Sequence, residues 1–321
     1  MADEERLSKI RLGISACLLG ENVRWNGGHT RDRFLTDTLS RYVEYVPVCP
    51  EVETGLPTPR EPLRQVGDPE APRLVFRESG EDITDRMLAW ARERVVELEA
   101  EGLCGFIFMQ RSPSSGMERV KVYNAKGVAE KKGVGIFARV FMDHFPLLPV
   151  EEAGRLHDPK LRENFIERIF ALRRWRDALA DGRRRGALVD FHARHKLLLM
   201  AHSERHLREM GRLVARAKEV EPDELFDRYQ ELLLTALKRH ATPRAHANVL
   251  MHMLGYFKAQ LTADEKQEML EVIDHYKAGL VPLIVPVTLF AHYVRKYEQP
   301  YLAQQAYLHP HPLELQLRNH V

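Results

Sequence analysis

VPVCPEVETGLPTPREP, residues 46–62, decides how the rest of the chain is read. A β-branched run, Val43–Val48, stops at Cys49, and a loop broken by Gly55, Pro57, Pro59 and Pro62 follows. Proline and glycine cannot continue a strand ladder, so the outline is a buried strand emptying into a loop. In an open parallel sheet, chemistry gathers just beyond the carboxyl ends of the strands, and Cys49 and Glu51 stand there. The arrangement recurs upstream, where residues 11–16 read as a strand closed by Cys17 ahead of Gly20. Two cysteines at one sheet edge are either soft donors for a metal or cluster, or two small buried apolar residues.

Outward from that core, strand and helix signals alternate. Residues 30–42 have a helical period, 73–77 read as a short strand, 84–101 as an amphipathic helix behind Thr84, 104–109 (CGFIFM) as a strand covered on both faces, and 133–144 as a helix. Alternation of this kind predicts an α/β domain with a parallel sheet over residues 1–150. Beyond residue 156 the pattern turns almost wholly helical, which predicts an all-α domain over residues 151–321. The halves also differ in charge: residues 1–150 carry a net of −2 and residues 151–321 a net of +4, within a chain of 321 residues and net +2. Thirteen of the fifteen histidines follow residue 150.

No run of 18 apolar residues is present, so no membrane span is expected. The opening MADEERLSKI lacks the apolar core of a secretory signal. The expected location is cytoplasmic, where the three cysteines stay reduced and serve metals or catalysis. Nothing in the sequence identifies a protein partner.

Four motifs, ISACLLG (14–20), VRWNGGH (23–29), VCPEVETGLPTPREP (48–62) and SPSSGMERVKVYN (112–124), together resemble the thiouracil desulfidase (TudS-like) family. RLHDPKLRENF (155–165) and FHARHKLLLMAHS (191–203) resemble the helical domain fused to it in RudS-type 4-thiouridine desulfidases. The resemblance implies a 4Fe-4S cluster held by only three cysteines, with the fourth iron open to the sulfur of a thiolated pyrimidine. Two ligands carry over to Cys17 and Cys49. The third family cysteine falls in the SPSSG turn, where this chain has Ser115, a hard oxygen donor in place of a thiolate. Cys104 opens its strand instead of closing it, which places it roughly 15 Å below the edge where the other two lie. It reads as a packed core residue. Glu51 matches the glutamate of the family's CPE motif and is the candidate general base; Ser112 matches the first serine of the turn and is a candidate hydrogen-bond donor. Arg24, Arg60 and Arg111 are candidates for holding ring oxygens or phosphates.

Residues 168–216 hold thirteen basic side chains against five acidic ones. Arg173, Arg174, Arg183, Arg184, Arg185 and Lys196 are the candidate RNA contacts, with Trp175, Phe191 and Tyr256 as candidate stacking platforms. The alternative is a solvated basic face over core aromatics. His192, His195, His202 and His206 have helical spacing but are not expected to bind zinc. The expected activity is hydrolytic removal of sulfur from 4-thiouridine in tRNA. The alternatives are a small thiopyrimidine as substrate, or a non-catalytic RNA-binding protein whose cluster site is degraded at Ser115.

Overall fold

The computed structural model describes residues 9–320. The described residues divide into two units, one ending at His157 and the other beginning at Asp158. In the first, β1 (Ile10–Ser15) and β2 (Val43–Val48) pair in parallel in full register, Ile10 beside Val43 and Ser15 beside Val48. A single turn, α1 (Pro50–Glu53), leaves β2 directly. The chain then forms a hairpin, β3 (Leu63–Asp68) and β4 (Ala71–Phe76), and a long helix, α2 (Thr84–Ala100). Next come β5 (Gly105–Phe108), β6 (Val120–Tyr123), β7 (Ala129–Gly133), α3 (Ile136–His144) and β8 (Val150–Glu152).

The strands form two sheets. One is wholly parallel, in the order β2-β1-β5-β8; the other is mixed, in the order β4-β3-β6-β7. The α/β class with a parallel sheet is as expected. The apolar run of β5 is buried throughout because Phe106 and Phe108 pack with Phe137 and Phe141 of α3 and with Ala91, Val95 and Leu98 of α2. β1 and β5 approach so closely that a Cβ on Gly13 would lie 2.2 Å from the Phe106 ring. Any side chain there would push the two strands apart.

Two expectations need correction. Residues 30–42 form no regular helix; a wide turn over Phe34–Thr38 runs into a tight one over Leu39–Arg41. The second sheet was not foreseen at all, apart from the short strand that became β4. Its strand β7 reads AEKKG, exposed except for Gly133, so it shows none of the alternation that marks a half-buried strand.

The second unit is helical. It starts where Asp158 caps α4 (Pro159–Ala178): its carboxylate accepts from the N–H groups of Lys160 and Leu161 at 2.9 and 3.1 Å, with Pro159 in the first turn. α5 (Arg185–His202), α6 (Glu204–Ala215), α7 (Pro222–Leu237), α8 (Pro243–Leu254), α9 (Ala263–Lys277) and α10 (Ile284–Lys296) follow. Trp175 is fully buried against Phe191, Phe226 and Tyr229, and its indole N–H donates to Gln230 at 2.9 Å. Trp175 and Phe191 are therefore core residues, while Tyr256 is exposed and stacked on Tyr301.

The same unit holds a buried ionic network. Arg318, near the end of the described chain, donates to Glu163 at 3.0 Å and to Glu167 at 2.9 Å, both on α4. Glu167 also takes a hydrogen bond at 3.0 Å from His202, whose other ring nitrogen lies 2.6 Å from the Arg239 carbonyl. No described helix is long and apolar enough to cross a membrane.

Candidate active site

The carboxyl ends of β1, β2 and β5 open into one cavity of about 310 Å³. β1 leads to Ser15 and Cys17, β2 to Cys49 and Glu51, and β5 to residues 109–113 and Ser115. The Met109 N–H donates to Ser15 Oγ at 2.9 Å and fixes the ends of β1 and β5 to each other. Cys17 and Cys49 line the same cavity, as the edge argument required. Cys104 does not line it. Its N–H donates to the carbonyl of Arg11, four residues before the end of β1 at Ser15, so it lies roughly 13 Å down the strand from the edge that Cys17 follows.

Burial pushes the Cys17 thiol up, with Glu51 adding to the effect against Thr30 and Arg24. The Cys49 thiol is pushed up to about 12, by burial first and by Glu51 second. Its Sγ lies 3.6 Å from Glu51 Oε2. Coordination to iron would displace the thiol proton, and the metal's positive charge would offset the burial of a thiolate at either sulfur. Ser115, 4% exposed, lines the same cavity, its Oγ 3.3 Å from Ser114 Oγ. Two thiols and one hydroxyl in one cavity are the donors this chain would offer an iron–sulfur group.

Glu51 is the centre of a second constellation. Ser114 Oγ donates to Glu51 Oε1 at 2.6 Å, and the Arg60 guanidinium lies 3.8 Å from Oε2. Ser112 Oγ lies 2.9 Å from Ser114 Oγ. A serine hydroxyl has one proton, and that of Ser114 is used on Glu51; Ser112 must then donate to Ser114. Ser112 Oγ in turn accepts from the N–H groups of Ser114 and Ser115 at 3.3 and 3.2 Å. Sequence reading nominated Ser112 and missed Ser114, the fully buried residue that touches the carboxylate. The available signal was the second hydroxyl of the SPSSG turn.

The turn is clamped from behind. Gln65 of β3, fully buried, donates from Nε2 to the carbonyls of Pro113 at 2.9 Å and Val134 at 2.7 Å. Gly135 packs its backbone against the turn: a Cβ there would lie 2.5 Å from the Ser114 carbonyl. The second sheet thus holds the serines in register with Glu51.

Most of the RNA-contact candidates in the second unit have partners within that unit. Arg173 pairs with Asp177 at 2.8 Å, Arg183 with Asp223 at 2.9 Å and Asp227 at 2.7 Å, and Arg184 with Asp181 at 3.1 Å. Arg174 donates to the carbonyls of His309 and Pro310, and burial lowers its guanidinium to about 10. Arg185 donates to the carbonyls of Ala217 and Val220. Lys196 is exposed. The four histidines named above do not converge: His192 bonds Tyr229, His195 stacks on Phe191, His202 meets Glu167 and His206 bonds Ser203.

Comparison with known proteins gives the family. Residues 12–153 match the 2-thiouracil desulfurase family, and residues 196–312 match DUF1722, a family of unknown function. YbgA of Escherichia coli, an uncharacterized protein, is 36% identical over 158 residues, 49% of this chain and 94% of that protein. The chain belongs to the YbgA family, and it joins a 2-thiouracil desulfurase domain to a DUF1722 domain. The desulfurase domain contains the whole cavity, from Ser15 to Ser115. YbbK of Bacillus subtilis, also uncharacterized, is 29% identical over 108 residues, 32% of this chain and 71% of that protein. A solved structure titled a [4Fe-4S]-dependent thiouracil desulfidase, TudS, is 30% identical; the match covers 47% of this chain and 95% of that one, with a TM-score of 0.39. The family resemblance drawn from the four motifs is borne out by the desulfurase-family match.

Proposed function

We propose that the protein is a desulfidase that replaces the thiocarbonyl sulfur of 4-thiouridine in tRNA by oxygen. Water supplies the oxygen and the sulfur leaves as hydrogen sulfide, so C=S plus H₂O gives C=O plus H₂S. The observation that carries this reading is the convergence of Cys17, Cys49 and the Ser112–Ser114–Glu51 relay on one cavity inside the desulfurase domain.

Cys17, Cys49 and Ser115 would hold a 4Fe-4S cluster. When bound it supplies a soft Lewis acid toward the thiocarbonyl sulfur. Glu51 takes the proton of the attacking water. Its Oε1 is occupied by Ser114, so Oε2 is the basic atom; Cys49, once a ligand, has no proton left to offer it. Arg24 and Arg60 line the same cavity, Arg60 beside Glu51, and would meet a ring oxygen or ribose there.

The test is anaerobic reconstitution followed by counts of iron and sulfide per chain, with sulfide release measured from 4-thiouracil and from thiolated tRNA. Iron with sulfide release from either substrate supports a desulfidase, and release from tRNA supports the substrate named. A reconstituted protein that binds iron and releases no sulfide from either would sink the reading.

Two substitutions probe the donor set. Ser115→Cys should raise iron retention against a chelator by at least about tenfold. A direct ligand outweighs an outer-shell partner, whose loss already costs about 10–100-fold in metal affinity. Unchanged retention would place the third ligand elsewhere. Cys104→Ala should leave the iron count unchanged while costing about 1 kcal/mol of stability, as expected for a small buried truncation. Loss of iron would overturn the placement of Cys104 at the far end of its strand.

A further inference from the structure

A second depression of about 650 Å³ adjoins the cavity and shares Pro62, Leu63, Arg111 and Pro113 with it. It lies on the mixed sheet and is lined by Arg64, Arg77, Arg111, Arg119, Lys121 and Lys131, with Tyr123 among them and no acidic side chain. Lys121 of β6 stands directly across from Lys131 of β7. On β3, Arg64 is one residue before Gln65, which pairs with Val122 of β6, so Arg64 extends the same row. Like charges opposite each other across a strand pair are destabilising. Here three strands bring them side by side. Among the described residues, Arg119 is the one lining cation with a carboxylate partner, Glu118 at 3.7 Å, and it is highly exposed. The arginines of the second unit are used differently: Arg173, Arg183 and Arg184 are neutralised by neighbours.

A row of unneutralised cations kept together at a cost in repulsion is a site for a polyanion, whose binding releases counterions. Arg64 adds a planar element, its guanidinium 5.7 Å from the Tyr123 ring centroid, with a buried Nε that has no hydrogen-bond partner. Cation and ring together form a platform of the kind on which unpaired bases stack.

We infer that this trough takes the sugar–phosphate backbone of an RNA strand whose thiolated base enters the adjoining cavity, with Arg111 at the junction of the two. The inference rests on the desulfidase reading and places the RNA contacts in the desulfurase domain itself. Backbone contacts of this kind position the strand, and the cavity reads the base.

The experiment is a filter-binding titration of the full-length protein with thiolated tRNA at several salt concentrations, with the triple variant Arg77→Ala, Lys121→Ala, Lys131→Ala beside the parent. None of the three lines the cavity. The variant should bind tRNA at least about tenfold more weakly near 0.15 M salt, and the slope of log K against log salt should fall by about 2–3, less than one unit per lost contact. Turnover of free 4-thiouracil should be unchanged, which separates this test from the desulfidase reading. If the parent never turns over 4-thiouracil or tRNA, that reading fails while the binding result stands. Two results would overturn the inference. One is tRNA affinity equal to the parent at every salt level, most plainly if Arg183→Ala, Arg184→Ala, Arg185→Ala abolishes it instead. The other is loss of affinity for 4-thiouridine monophosphate without loss for tRNA, which would make the trough a mononucleotide phosphate site.

Discussion

Glu51→Gln lowers desulfuration by about 10²–10⁴-fold, the range typical of a lost general base, with iron content and folding unchanged. Glutamine has the same shape, and its carbonyl oxygen still accepts from Ser114 Oγ, now 2.6 Å from Oε1. What disappears is the basic Oε2 beside Cys49. The loss should fall on kcat, with the KM for 4-thiouracil nearly unmoved, because the proton is taken in the transition state. Steady-state kinetics on 4-thiouracil, run beside iron counts, read both. A variant at the parent's rate would return Glu51 to a structural role, neutralising Arg60 at the cavity wall.

Arg318→Ala destabilises the second unit by about 3–5 kcal/mol, the usual cost of removing one partner from a buried ion pair. Two carboxylates, Glu163 and Glu167, would be left buried with His202 as the remaining cationic partner. Chemical denaturation followed by far-UV circular dichroism measures it, and adding Glu163→Gln should recover part of the loss. A drop under about 1 kcal/mol would mean that solvent reaches the network. The same network makes stability depend on pH. Burial, and Glu167 next to it, raise the Glu163 carboxyl to about 7, above its unfolded value. The folded state therefore keeps a proton that the unfolded chain gives up. Glu163 contributes fully at low pH, and that contribution is lost as pH rises through about 7. Glu167 has the opposite sign. Burial pushes it up, but His202 and Arg318 together outweigh burial and hold it below its ordinary value, so its contribution is lost in acid. Glu163→Gln should flatten the fall in melting temperature between about pH 5 and 7, and leave the acid limb in place.

Three strands of the parallel sheet were legible because they are short, largely apolar runs bounded by breakers, and Cys17, Cys49 and Glu51 follow such runs at once; the fourth, β8 (VEE), carries no such run. Burial against α2 and α3 is what makes those runs apolar. The mixed sheet was illegible for the converse reason: β3 and β7 carry polar and charged residues, and their order depends on pairing partners far along the chain. Ser114 was hidden because a turn serine ordinarily bonds its own backbone, and only the fold carries it to a carboxylate 63 positions away. Charge counting over residues 168–216 located the basic residues and could not see that Asp223 and Asp227 would fold against Arg183. The trough cations, by contrast, are scattered from residue 64 to residue 131 and never form a run.

The order of donation through the serines has a stereochemical consequence. Every hydroxyl proton in the chain from Ser112 points toward Glu51, so one lone pair set of the carboxylate is permanently engaged and the other faces the cavity. A pyrimidine is flat, with two equivalent-looking sides, but in the proposed reaction a base fixed in this way would activate water on only one of them. The ring would then be addressed from a single face, and because the product is flat again, the handedness of that approach would leave no trace in the uridine that remains in the RNA.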